Sequence, residues 1–195
     1  MNGAAIQTVT DEERDRVLSS LALGFAADPL MRWLFQEATA YLKAATGEFY
    51  NAFGGGAIEH NTAYRTAGFE GAALWYPPGT GPDETRLVQA MASLVEEQTL
   101  IDGAGLLEGM ASYHPQEPCW YLAVIGVDIG YQEKGHGAQL MKHALRIIDE
   151  QHLPAYLESS NPRNLSLYKR HGFEEMGVIQ SGSSPAIVPM LREAR

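Results

Sequence analysis

The stretch that most constrains this chain runs Val124-Ile125-Gly126-Val127-Asp128-Ile129-Gly130-Tyr131-Gln132-Glu133-Lys134-Gly135-His136-Gly137-Ala138-Gln139-Leu140. A short apolar run ends at Asp128, small and polar residues follow, and a helical pattern starts at Gly135 to Ala138. The order is strand, loop, helix, with glycines at the helix entrance. The first turn of a helix carries N–H groups without intrahelical partners, and that end of the macrodipole is positive. A loop feeding into it can wrap further N–H groups around an anion. Gly135 and Gly137 lack a Cβ, so a diphosphate could approach the backbone closely. A plain strand-to-helix turn would carry such glycines too.

Gly135-His136-Gly137 continues as Ala138-Gln139-Leu140, so the third small residue of a dinucleotide fingerprint is missing, and no Gly-Lys-Ser/Thr follows as in a P-loop. The loop instead resembles the Gln/Arg-x-x-Gly-x-Gly/Ala segment of the GCN5-related N-acetyltransferases (GNAT), here Gln132-x-x-Gly135-x-Gly137. Asn161-Pro162-Arg163-Asn164-Leu165-Ser166-Leu167-Tyr168-Lys169-Arg170-His171-Gly172-Phe173 resembles the same family's Asn-x(6)-Tyr-x(3)-Gly-Phe segment. The resemblance covers residues 118–180 well, 57–117 loosely and the first fifty residues hardly at all. It implies an α/β fold: a mixed, mainly antiparallel sheet flanked by helices, with a central parallel pair of strands splayed around acetyl-CoA. It also implies an N-acetyltransferase in which an amine attacks the thioester directly in a ternary complex.

With 195 residues the chain is read as one domain with room for a full core. Its helical N-terminal part, residues 1–56, is expected on the acceptor side. No run of about eighteen apolar residues suggests a membrane span, and Met1 to Thr10 lacks the pattern of a signal peptide. A cytoplasmic protein without a membrane partner is the resulting expectation. Cys119 is the only cysteine, which excludes an intrachain disulfide. The net charge of −10 disfavours a nucleic-acid partner and favours a cationic acceptor such as an amine.

Taken in order, Thr10-Asp11-Glu12-Glu13 reads as a capping box, and Val17, Leu18, Leu21 and Phe25 recur at helical spacing until Asp28-Pro29 ends that helix. A second helix is expected from about Thr39 to Phe53, lined by Leu42, Ala45, Phe49 and Phe53 and stopped by Gly54-Gly55-Gly56. Trp33, Phe35, Tyr41, Phe49 and Tyr50 are core residues or the lining of an acceptor pocket. Residues 61–67 and 72–76 read as paired strands. Asp83 can cap a helix from Glu84 to about Leu100, and Gly103 to Met110 reads as another short one. Cys119 to Val127 is a buried strand in which Gly126 marks a bulge or a close approach of another backbone. The helix from Gly135 to about Gln151 buries Leu140, Met141, Ala144, Leu145 and Ile148. Ala155 to Ser159 is a short strand, and Asn164 caps a helix that Gly172 stops. Residues 173–180 and 186–191 read as two closing strands, which could pair across a homodimer.

Acyl transfer to an amine needs a base, donors for the developing oxyanion and a proton for the thiolate. By the resemblance, the bulged strand contributes N–H groups of Ile125, Gly126 and Val127 to the pantetheine arm and thioester. Gln132, Glu133, Lys134, Gly135, His136, Gly137 and Ala138 form the diphosphate loop, Asn161 faces the pantetheine, and Tyr168 is the acid. Asn161 also serves as a plain turn residue before Pro162. Glu133 departs from the small or basic residue usual in that loop. Glu158, near the end of its strand, is the candidate base, with His114 as second candidate. Cys119 is not expected as a nucleophile, since Glu117 is the wrong sign to stabilise a thiolate. No spacing suggests a metal site. Two rivals remain: an acyl-CoA-binding or regulatory protein of the same fold with weak catalysis, and a nucleotide-using transferase, against which the missing P-loop lysine argues.

Overall fold

Two fully buried segments seed the sheet. In the computed structural model, which describes residues 5–195, the strands are β1 (Ile6–Thr8), β2 (Ala63–Thr66), β3 (Gly71–Tyr76), β4 (Trp120–Val127), β5 (Ala155–Ser159), β6 (Glu174–Glu175) and β7 (Val188–Arg192). The expectation for Met1 to Thr10 falls partly outside the described residues. Every residue of β2 and β3 is buried, and their hairpin is closed by the Thr66 hydroxyl, which accepts from Gly71 N–H at 3.2 Å. The order is β1-β2-β3-β4-β5-β7-β6, antiparallel except for the parallel pair β4–β5. This is the mixed, mainly antiparallel architecture that the two sequence segments imply.

Helices cover both faces. One face carries α1 (Arg14–Phe25), α2 (Pro29–Leu34), α3 (Ala38–Thr46), α4 (Gly56–Glu59), α5 (Glu84–Ala92) and α6 (Glu97–Tyr113). The other carries α7 (His136–Asp149) and α8 (Leu165–Arg170), whose Leu140, Met141 and Tyr168 pack with Trp75 and Leu122. The apolar stripe of α7 read from the sequence is buried as expected, and the Thr10–Glu13 capping box is formed.

Between β4 and β5 the sheet opens. Pairing runs only through Trp120↔Ala155, Tyr121↔Tyr156 and Leu122↔Leu157. Beyond that point β4 pairs with β3 alone, and β5 pairs with β7 alone. On the β3 side, Leu74 faces Val124 and Trp75 faces Leu122, so Ala123 is an extra residue on β4. That bulge turns β4 away just where the strands part. It lies three residues before Gly126, where the sequence suggested one. Gly126 serves close approach instead: a Cβ there would stand 3.1 Å from Phe25 and 3.2 Å from Leu21 of α1.

Glycines elsewhere also pack rather than break. Gly54 to Gly56 do not stop a helix. α3 ends at Gly47, and a π-helical turn over Asn51–Gly55 leads into α4, with Gly54 against Leu74 and Gly56 against Tyr76. Leu42, expected on the buried stripe, is 60% exposed. The break placed between Leu100 and Gly103 falls at Ser93–Glu96, and α6 continues through Gly103, Gly105 and Gly109. The last two seat the helix on Ser181 and Ile179. Asp28-Pro29 closes α1 and also opens α2, a helix the periodicity did not show. Asn161 rather than Asn164 makes the cap after β5, accepting from Arg163 N–H at 3.1 Å. The first closing strand shrinks to β6 plus a single Ile179–Ile187 bridge.

Candidate active site

The loop between β4 and α7 is shaped by its own side chains. The Asp128 carboxylate accepts from Gly130 N–H at 3.0 Å. Gln132 Nε2 donates to the Val127 carbonyl at 3.0 Å, and Lys134 Nζ donates to the Gly130 carbonyl at 3.0 Å. Glu133 and Gly135 adopt left-handed backbone, φ 62° and 87°. Left- and right-handed residues in succession turn neighbouring N–H groups the same way. The N–H groups of His136, Gly137 and Ala138, in the first turn of α7, have no intrahelical acceptor. The place of a Cβ on Gly135 is empty to 3.9 Å. Buried nearby, His136 Nδ1 and Gln139 Oε1 have no hydrogen-bond partner. The loop is therefore open and lined by backbone N–H donors, the chemistry an anion such as a diphosphate requires.

The parting of β4 and β5 opens onto a cavity of about 340 Å³. Ile125, Glu158 and Tyr168 line it, three of the residues chosen from sequence. Gly126, Val127 and the loop from Gln132 to Ala138 lie outside the lining. So does Asn161, whose side-chain amide oxygen accepts from Arg163 N–H. Its neighbours Ser160 and Asn164 face the cavity instead. Tyr168 is otherwise buried, and burial raises its phenol well above the usual tyrosine range, so it stays protonated.

Glu158 follows from the strand period. Tyr156 and Glu158 alternate onto one side of β5, and Ser160 follows just past its end. Burial pushes the Glu158 carboxyl up to about 7, while the phenols of Tyr156 and Tyr121 draw it down. The Tyr156 hydroxyl completes no hydrogen bond, so the contact with Glu158 is one of proximity rather than a closed bond. His114, the second candidate, sits behind these tyrosines, with ring centroids 5.5 Å from Tyr121 and 5.0 Å from Tyr156. Its Nε2 is 3.8 Å from Cys119 Sγ, and burial lowers its pKa. It does not line the cavity. Burial and then the charge of Glu158 raise the Cys119 thiol, which suits an inert cysteine.

A second carboxylate escaped the sequence reading. Asp28 is 5% exposed, caps α2 through Leu30 N–H (3.0 Å) and Met31 N–H (3.3 Å), and accepts from Ser160 Oγ at 2.8 Å. It lines the cavity beside Tyr168, whose phenol its charge helps to raise. Burial raises its own pKa against these hydrogen bonds. The available signal was an aspartate before a proline at the first helical position, a helix-entry pattern as well as a stop. Of the aromatic candidates, Phe49 and Tyr50 line the cavity. Phe35 and Tyr41 are core, and Trp33 bonds Ser183.

The sequence profile of the acetyltransferase (GNAT) family matches residues 70–173. An uncharacterized N-acetyltransferase of Schizosaccharomyces pombe is 29% identical over 118 residues, covering 54% of this chain and 47% of the relative. The chain thus spans about half the length of that curated relative. Among solved structures, a protein from Corynebacterium glutamicum described as histone acetyltransferase HPA2 and related acetyltransferase superposes with a TM-score of 0.65 at 21% identity, over 99% of this chain and 97% of its own. Arylalkylamine N-acetyltransferase 2 of Aedes aegypti superposes at 0.67 and 11% identity, over 98% and 99%.

Proposed function

Because the chain belongs to the acetyltransferase (GNAT) family, we propose that it moves an acetyl group from acetyl-CoA to a primary amine by direct attack in a ternary complex. The observation that carries this reading is the parting of β4 and β5 after Leu122 and Leu157. It leaves an unpaired strand edge running from a donor cradle to a cavity that holds an enclosed carboxylate and a protonated phenol.

When bound, acetyl-CoA supplies an activated acyl carbon and a thiolate leaving group. The N–H groups over Gln132 to Ala138 hold the diphosphate. The β4 backbone at Ile125, Gly126 and Val127 extends along the pantetheine, with Asn161 on the facing side. An N–H there stabilises charge developing on the thioester oxygen. Glu158 takes a proton from the acceptor's ammonium, directly or through water, so that the neutral amine attacks the acyl carbon, and Tyr168 gives a proton to the departing thiolate. The phenol is held protonated by its burial. Without such a base the acceptor would stay an ammonium, which cannot attack, and without the acid the thiolate would leave unprotonated.

Calorimetric titration with CoA tests the donor site. We expect binding in the micromolar range, roughly −8 kcal/mol. Gly135→Val should weaken it at least about tenfold, because a β-branched residue resists φ 87° by roughly 1–2 kcal/mol and its side chain would fill the open space of the cradle. No binding by the intact chain would remove the transferase reading. Tyr168→Phe should lower kcat about ten- to a hundredfold with little change in KM for either substrate. An unchanged kcat would leave the phenol a packing residue against Phe173. Tight CoA binding without transfer to any amine would favour a binding or regulatory protein.

A further inference from the structure

The cavity has a chemical polarity of its own. Its wall away from β5 is built from α5 and α6, through residues such as Leu87, Met91, Leu100, Leu107 and Met110. Val88 and Leu107 carry this apolar lining to the surface, 55% and 41% exposed. The charged side chains in the lining are two, Asp28 and Glu158, and both are carboxylates. Both sit at the β5 end: Glu158 belongs to the strand, and Asp28 is bonded to Ser160 one residue beyond it. No lysine, arginine or histidine lines the cavity among the described residues.

We propose that the acceptor is a primary amine on an apolar, otherwise uncharged body, an aralkylamine or alkylamine whose ammonium meets Asp28 and Glu158 while its tail lies between α5 and α6. The inference rests on the acetyl-transfer reading and narrows its acceptor. An amino acid would bring its carboxylate towards two others with no cation to receive it. A polyamine would place its second ammonium against leucine and methionine, where nothing replaces its water. An aminoglycoside would leave many hydroxyls unpaired on the same wall. An apolar tail meets none of these penalties and displaces water from the lining. The selectivity therefore works by exclusion as much as by attraction.

Two matched pairs isolate the argument: 2-phenylethylamine against phenylalanine, which adds a carboxylate, and hexylamine against 1,6-diaminohexane, which adds an ammonium. CoA release by the full chain with acetyl-CoA gives kcat/KM for each. 2-Phenylethylamine and hexylamine, the members without the added charge, should each be preferred by about 10²-fold or more. Leu107→Asp, on the far wall, should raise kcat/KM for the diamine at least about tenfold and lower it for hexylamine. CoA binding measured on the same variant shows whether it is folded, and Met110→Asp repeats the test from a neighbouring turn if it is not. Equal use of both members of either pair would overturn the inference. So would CoA release with the charged amines alone, or use of octanoyl-CoA with them in preference to acetyl-CoA, which would make the cavity an acyl-chain site. Those results leave acetyl or acyl transfer standing. Binding of hexylamine to the CoA-loaded chain without any CoA release would keep the acceptor class and sink the transfer.

Discussion

Glu158→Gln should lower kcat by about 10²–10⁴-fold at pH 8 while leaving CoA affinity nearly unchanged. Glutamine keeps the shape on β5 but cannot accept a proton from an ammonium. The wild-type rate carries the sign of a base: burial holds the carboxyl at about 7, so activity should rise with pH through that value and level off above it. In the variant this limb should vanish, and the residual rate should follow only the free amine of the substrate. Stability should run the other way. The folded carboxyl holds its proton to about 7, whereas the reference value is 4.5. The folded state therefore binds more protons across that interval, and stability falls as pH climbs through it. The difference corresponds to about 3 kcal/mol at full extent. Glu158→Gln should flatten the pH dependence of urea unfolding and be no less stable than wild type above pH 7. A rising limb near 7 that survives the substitution would assign the base elsewhere.

The contrast with His114 shows why geometry was needed. Both candidates were visible in the sequence, one on a strand and one before a proline. The structure puts Glu158 in the cavity wall and His114 behind Tyr121 and Tyr156. No local pattern distinguishes these two places. The span from Trp120 to Gly172 was legible because its signals are local: an apolar strand, a loop of small residues, a stripe at helical period, and a left-handed glycine stop at φ 89°. The first half was less so, because its glycines answer to distant partners. Gly54 is small for Leu74 and Val124, and Gly109 for Ile179. A sequence shows that a residue is small. It does not show which neighbour needs the space, so packing glycines such as Gly54 to Gly56 read as breaks. Most of the apolar cavity wall comes from the helices of this half, so the cavity was hidden with them.

Asp28 is the sharpest case, and its substitutions should separate a structural role from a functional one. Its carboxylate accepts three hydrogen bonds, from Leu30 N–H, Met31 N–H and Ser160 Oγ. An oxygen pair so engaged is a poor proton acceptor, whereas Glu158 faces phenols that leave its contact open. Asp28 is therefore a positioning residue: it starts α2, ties that helix to the end of β5, and places a negative charge where the ammonium arrives. Asp28→Ala removes the cap and strands Ser160, and should destabilise the fold by about 1–3 kcal/mol in urea unfolding. Asp28→Asn keeps an oxygen for the two N–H groups and an amide N–H for Ser160, and should lose less than about 1 kcal/mol. Both variants give up the charge. Both should therefore raise KM for the amine about tenfold or more, with CoA affinity held. The Asn variant should retain most of kcat and keep the limb at about pH 7, since Glu158 remains. A collapse of kcat in Asp28→Asn together with loss of that limb would transfer the base from Glu158 to Asp28. A wild-type KM in Asp28→Asn would leave Asp28 as a helix cap alone, with the ammonium held by Glu158.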